Sequence, residues 1–232
     1  MLTWKILADF PTGSFLFANL VLANATSHTQ HVVHNLRKMK FIGKFIVLIL
    51  LVSCSNNENT LEQYANFPVK FAKQKVTYPN NDFSIFIQKN WEWKVENYDN
   101  ENILLGIDAS SKPDKDGFID IISIQKVKSF GENKDLKSEF EYCLNLIETN
   151  SQNRKVIESG QTEILNQQSY FLHTKSDTGK YGEAEIISFI LDSGIDGVFY
   201  NLTASASQTT DLKKNMSILI QSLKTFKKLN NK

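Results

Sequence analysis

Between Phe83 and Ala206 the chain is a succession of short segments rich in Val, Ile, Phe, Tyr and Thr, broken by tight turns. No other feature constrains the fold as much. Phe83-Ser84-Ile85-Phe86-Ile87 and Trp91-Glu92-Trp93-Lys94-Val95 read as the first strands. Segments 103–107 and 118–127 follow, with Lys112-Pro113-Asp114-Lys115-Asp116-Gly117 as the turn between them. Further strands are expected at 156–164, 169–175, 183–191 and 198–206, the last three divided by Ser176-Asp177-Thr178-Gly179 and by Asp192-Ser193-Gly194-Ile195-Asp196-Gly197. In the final strand Val198, Tyr200, Leu202, Ala204 and Ala206 share one face, and Phe199, Asn201, Thr203 and Ser205 the other, because strand side chains alternate. Strands joined in hairpin succession leave no room for the crossovers of a parallel sheet, so the sheet is expected to be antiparallel.

Two helices complete the pattern. Asn133 or Asp135 caps a helix running to about Thr149, with Leu136, Phe140, Cys143, Leu144 and Ile147 on one face. Thr210-Asp211 opens a second, with Leu212, Met216, Leu219, Ile220, Leu223 and Phe226 on one face. Lys224, Lys227 and Lys228 fall in its expected last turns, where the helix dipole favours cations. Each helix needs an apolar surface to cover, and an α+β fold with an antiparallel sheet flanked by the two amphipathic helices provides it.

This order of elements resembles the PsbP-like superfamily, which includes the DcrB and LpqN lipoproteins, over roughly residues 78–227. The resemblance is carried by Phe83-Ser84-Ile85 leading to Trp91, and by Gly197-Val198-Phe199-Tyr200-Asn201-Leu202-Thr203-Ala204 leading into the last helix. Gln88-Lys89-Asn90 departs from it, since members often carry a proline before the tryptophan. It implies a PsbP-like sandwich and an accessory or binding role.

The amino-terminal part has a different character. Lys40 and Lys44 precede the run Phe45-Ile46-Val47-Leu48-Ile49-Leu50-Leu51-Val52, too short to span a bilayer but suited to a signal peptide. The run ends in Leu51-Val52-Ser53-Cys54, which resembles the lipobox of bacterial lipoproteins. That resemblance implies a diacylglycerol on the Cys54 thiol, cleavage just before it, and acylation of the new amino terminus with a fatty acid such as palmitate. Residues 39–53 are then the signal peptide, 54–77 a tether and 78–232 the domain. Residues 1–38 read as an upstream extension, since Met39 is a natural start; the rival is a genuine long leader. His28, His31 and His34 lie in that stretch, outside the expected mature protein. Ser55 after the cysteine points to the outer rather than the inner membrane, by analogy with enterobacterial sorting. The expected location is the cell envelope, with the domain outside the cytoplasm and an envelope protein as partner.

Charge and chemistry narrow the rest. The formal charge is +1; five of the 26 basic residues and one of the 25 acidic ones precede Cys54, leaving 21 against 24. Nothing there suggests nucleic acid. Cys54 and Cys143 are the two cysteines, so a disulfide framework is not expected. His173 is the one histidine after Cys54. A Cys143–His173 pair or a Ser-His-acid triad would have to use it, with no nucleophile-elbow motif in support. Asp177-Thr178-Gly179 copies the aspartic-protease tripeptide, but that chemistry needs two carboxylates and there is one copy. Asp114-Lys115-Asp116-Gly117 with Asp120 falls short of an EF-hand calcium loop. Trp91, Trp93 and Tyr98 could form a ligand platform, though Trp91 and Trp93 are expected on one strand face, packed under a helix. Neither metal nor cofactor is expected, and the reading is a non-catalytic binding module. The alternative is an envelope hydrolase using Asp120, Glu183 or Glu185, which would require two of them in one pocket.

Overall fold

The computed structural model describes residues 58–150, 153–177 and 182–229. Cys54, the signal segment and the histidines of residues 1–38 lie outside the described residues. In chain order the elements are α1 (Leu61–Asn66), β1 (Lys73–Thr77), β2 (Phe83–Gln88), β3 (Glu92–Val95), β4 (Ile103–Ser110), β5 (Ile121–Lys128) and α2 (Leu136–Asn150). Then come β6 (Arg154–Thr162), β7 (Ser169–Asp177), β8 (Glu183–Ile195), β9 (Val198–Ser207), α3 (Leu212–Leu223) and β10 (Lys227–Lys228). Seven strands form a large sheet in the order β3-β4-β5-β9-β8-β7-β6, and β1-β2-β10 form a small one. Every strand pair is antiparallel.

The α+β class and the antiparallel sheet follow from the turn-rich pattern, as expected. Both faces of the large sheet are covered, which is why its inner strands carry apolar residues on both sides. One face holds Ile107, Ile122, Ile124, Ile187, Phe189 and Leu202, under Met216, Leu219, Ile220 and Leu223 of α3 and Phe83, Ile85 and Ile87 of β2. The other holds Val127, Tyr170, Leu172, Ile190 and Phe199 under Phe140, Cys143 and Ile147 of α2, which packs over β6, β7 and β8. Asp135 starts α2, its Oδ1 accepting from the Ser138 amide at 2.7 Å. The β9 alternation is as expected: Tyr200, Leu202, Ala204 and Ala206 face α3, and Phe199 faces α2.

Three features differ from the sequence reading. Part of the stretch assigned as tether is folded: α1 and β1 both lie within 54–77. A capping box starts α1, Thr60 Oγ1 accepting from Gln63 N at 3.2 Å and Gln63 Oε1 from Thr60 N at 3.0 Å. A helix shorter than two turns is too short for a periodicity to appear, and β1 shows a single deeply buried apolar residue, Val76. Lys227 and Lys228 do not extend the last helix. It ends at Leu223, Phe226 turns onto Phe83 and Tyr200 at 5.6 and 5.1 Å, and the two lysines pair with β2. Pairing there satisfies an edge of β2 that would otherwise be open. Trp91 and Trp93 do not share a strand face. Asn90 has φ 71°, so the chain turns before β3 begins; Trp91 enters the core while Trp93 is 37% exposed.

Candidate functional site

The α3 side of the large sheet buries the one described histidine. Period-two alternation places Phe171 and His173 of β7, Glu185 of β8 and Glu158 of β6 on that face, beneath α1. His173 is fully buried; its Nε2 lies 2.9 Å from Glu185 Oε2 and its Nδ1 3.2 Å from Glu158 Oε1. Tyr64 of α1 donates to Glu185 Oε2 at 2.6 Å, Gln208 Nε2 donates to Glu185 Oε1 at 2.7 Å, and the Leu61 amide donates to Glu158. Burial, then the Glu185 carboxylate, pushes the Tyr64 hydroxyl far above its ordinary pKa. With both ring nitrogens held by carboxylates, His173 has none left to deprotonate a nucleophile. The network fastens α1 to the sheet. Cys143 sits on the opposite face, under α2, so the sheet separates it from His173. Burial, then the Glu139 charge, raises its thiol far above the reactive range.

The three carboxylates suggested for hydrolysis are engaged separately. Glu185 belongs to the His173 network, and Glu183 pairs with Lys175 at 2.7 Å. Asp120 lies near the Ser207 amide, its carboxyl pushed up to about 6 by burial. Asp114 Oδ1 accepts from the amides of Asp116 and Phe118, both at 2.9 Å, and Gly117 has φ 85°, so the suspected calcium loop is a side-chain-locked turn. Of the aspartic-protease tripeptide, Asp177 pairs with Glu183 at the end of a β7–β8 hairpin; Thr178 and Gly179 lie outside the described residues.

The α2 side of the sheet carries something the sequence reading missed. Cross-strand register aligns Asp108 of β4, Ser123 of β5, Thr203 of β9 and Ser188 of β8 in one row. Gln125 and Asn201 form a parallel pair beside it, under Tyr98. Tyr98 lies against the backbone because position 106 is glycine: a Cβ there would come within 2.7 Å of its hydroxyl. Ser188 and Thr203 bond each other at 3.0 Å. Ser123 lies within hydrogen-bonding reach of both the Tyr98 hydroxyl and the Asp108 carboxylate, whereas Asn201 Oδ1 is buried with no hydrogen-bond partner. Ser123, Asn201 and Thr203 are half-buried residues, although Ser123 Oγ and Asn201 Oδ1 themselves are out of reach of solvent. Alternation in β9 was the available signal: it placed Asn201, Thr203 and Ser205 together. The pairing of Asp108 with Ser123 needed the register.

Asp108 is 6% exposed, and its carboxyl is pushed up to about 6, first by burial, with the Glu96 charge adding to and Ser123 and Lys94 opposing the shift. The unfolded chain ionises near 3.9. Above pH 6 the native state therefore holds a charge that unfolding would hydrate, which costs stability; that cost fades as pH falls from 6 to 4. The size is about 2–3 kcal/mol. Asp108→Asn is expected to raise stability at pH 7.5 by up to about 2 kcal/mol and to flatten the urea-midpoint profile between pH 4 and 6. Asp120 titrates in the same direction, so some slope will persist. An unchanged slope would show that Asp108 is not the strained group.

The sequence matches no protein-family model and no curated protein. The fold is similar to that of PsbP (CyanoP) from the cyanobacterium Synechocystis sp. PCC 6803, with TM-score 0.49 and 10% identity over 69% of this chain and 94% of that one. It is also similar to the Ran-binding protein Mog1p of Saccharomyces cerevisiae, with TM-score 0.47 and 11% identity over 69% of this chain and 97% of that one. At such identities the side chains of either neighbour say nothing about those described above.

Proposed function

We propose that this chain is a cell-envelope lipoprotein, held to a membrane through acylated Cys54, whose folded part is a non-catalytic binding or accessory module. The observation that supports binding is the row of polar side chains, Asp108, Ser123, Thr203 and Ser188, that crosses four strands of a sheet face whose Ser123, Asn201 and Thr203 are half-buried. Buried polar groups are nearly always paired, and Asn201 Oδ1 has no partner within the fold, so this polar face is suited to a partner that supplies complementary bonds. The order of basic residues, apolar run, small residue and cysteine at 40–54 supports the anchor, and Ser55 supports the outer membrane. The hydrolase alternative is less well supported, since Asp120, Glu183 and Glu185 each have separate partners.

Two measurements test this. The intact mass of detergent-extracted protein is expected to match a chain beginning at Cys54 plus acyl groups, and Cys54→Ala is expected to abolish both lipid and membrane retention. Protein that keeps residues 1–53 and carries no lipid would end the lipoprotein reading. A photo-crosslinker replacing Thr203 in cells is expected to capture a discrete envelope protein that one replacing Lys137, on the exposed side of α2, does not. Identical capture patterns would remove the sheet face as the binding surface.

A further inference from the structure

Resting on the lipid anchor proposed above, we infer that the outer face of the small sheet is a second membrane contact, lying on an anionic lipid surface. The inner face of this sheet is apolar and packed: Val76, Phe83, Ile85 and Ile87 belong to the core. Alternation turns the intervening residues outward, and the register sets Lys73 beside Gln88, Lys75 beside Phe86, and Lys227 beside Ser84. Lys73, Lys75 and Lys227 are exposed, and Phe86 between them is one of the few large apolar side chains that remain exposed. Lys70 and Lys89 are exposed beyond the same end of the β1–β2 pair, next to Lys73, whose ammonium lies over the Phe71 ring at 5.5 Å. Five cations around an aromatic therefore gather on one layer of a molecule whose charge after Cys54 is mildly negative. On the same layer Glu62 is occupied by Asn66, at 2.5 Å.

Covalent reach makes the membrane the natural occupant. The small sheet and α1 cover the same side of the large sheet, and the helix is fastened there by Tyr64, Leu61 and the Ala65 carbonyl, which accepts from Gln221 at 2.7 Å. Because α1 begins at Leu61, the chain from Cys54 to Thr60 can span at most about 20 Å. A domain held that close keeps its basic layer within reach of the interfacial potential, where each lysine strengthens association roughly fivefold and an aromatic can enter the headgroup region. For Lys73, Lys75 and Lys227 together the gain is on the order of a hundredfold.

The test uses the detergent-extracted protein, its lipid verified by mass, reconstituted in vesicles of phosphatidylcholine alone or with phosphatidylglycerol. Lysine acetylation is followed by peptide mass spectrometry. On anionic vesicles, Lys73, Lys75 and Lys227 are expected to be modified at least fivefold more slowly than on neutral ones, while Lys115 and Lys137 are unchanged. High salt is expected to remove the difference, and Phe86→Ser to weaken it. Lipidated protein with equal rates on both vesicles would overturn the membrane face and leave the anchor standing. Protein without lipid would overturn both.

Discussion

Lys126→Ala is expected to destabilise the fold by about 3–5 kcal/mol, read as a lowered urea midpoint at unchanged slope. Lys126 is the buried charged residue of β5, on the apolar α3 side, and its Nζ lies 2.7 Å from Asp82 Oδ2. Both side chains are about nine-tenths buried. Tyr200 donates to the other oxygen of Asp82, with its own hydroxyl pushed far above the ordinary range by burial and then by that carboxylate. The ammonium also lies 5.3 Å from the centre of the Tyr200 ring. The pair thus ties the start of β2 to β5 and β9, joining the two sheets. The Asp82 carbonyl, accepting from Leu229 at 2.9 Å, adds the carboxy-terminal strand to the same junction. Truncating Lys126 leaves the carboxylate desolvated with a single neutral donor, and that uncompensated charge, rather than the lost attraction, sets the size of the effect. Lys126→Met combined with Asp82→Asn removes both charges and is expected to recover most of the loss. If the double variant were as unstable as Lys126→Ala, the packing around the lysine stem would be the cause instead.

Gly106→Ala is expected to be comparably disruptive, by about 3 kcal/mol. The backbone conformation at 106 is an ordinary one, so the effect comes from space alone. An added Cβ would stand 2.6 Å from the Ile124 carbonyl oxygen on the neighbouring strand and 2.7 Å from the Tyr98 hydroxyl. The carbonyl belongs to β5, paired on both sides by β4 and β9, and cannot retreat without disturbing that pairing, whereas Tyr98 can be moved. Removing the ring as well, with Tyr98→Ala, should therefore relieve only part of the strain. Full additivity of the two substitutions would mean that the contact with the ring is not felt. Displacing Tyr98 should also reduce crosslinking from position 203, which links this glycine to the proposed binding surface.

Much of this architecture was legible because it depends on short-range regularities. A period of two in Val198–Ala206 and a helical period in Leu212–Leu223 each specify an element and the side it buries, since a residue's direction is set by its neighbours in the chain. The helix start could be narrowed to Asn133 or Asp135 for the same reason, and the structure uses Asp135. Elements that lack a period could not be read. α1 is shorter than two turns, β10 is two lysines, and β1 has one deeply buried apolar residue among polar ones; all three exist because the rest of the fold offers them a partner. The amphipathic pattern of the last helix extended through Phe226, and only the position of Phe83 and Tyr200 shows that the chain leaves the helix to reach them.

The candidate site divides along the same line. By itself the sequence determined that His173 is the lone histidine after Cys54 and that Cys143 falls among apolar residues at helical spacing. Those facts already weakened the case for catalysis. Tertiary structure decided what these residues meet: His173 between Glu158 and Glu185, Cys143 on the far side of the sheet, Lys126 against Asp82, and Asp108 in line with Ser123 and Thr203. A strand's own alternation says which face a side chain takes, whereas the residue beside it depends on strand order and register. Those are settled by the packing of the whole sheet, among residues far apart in the chain.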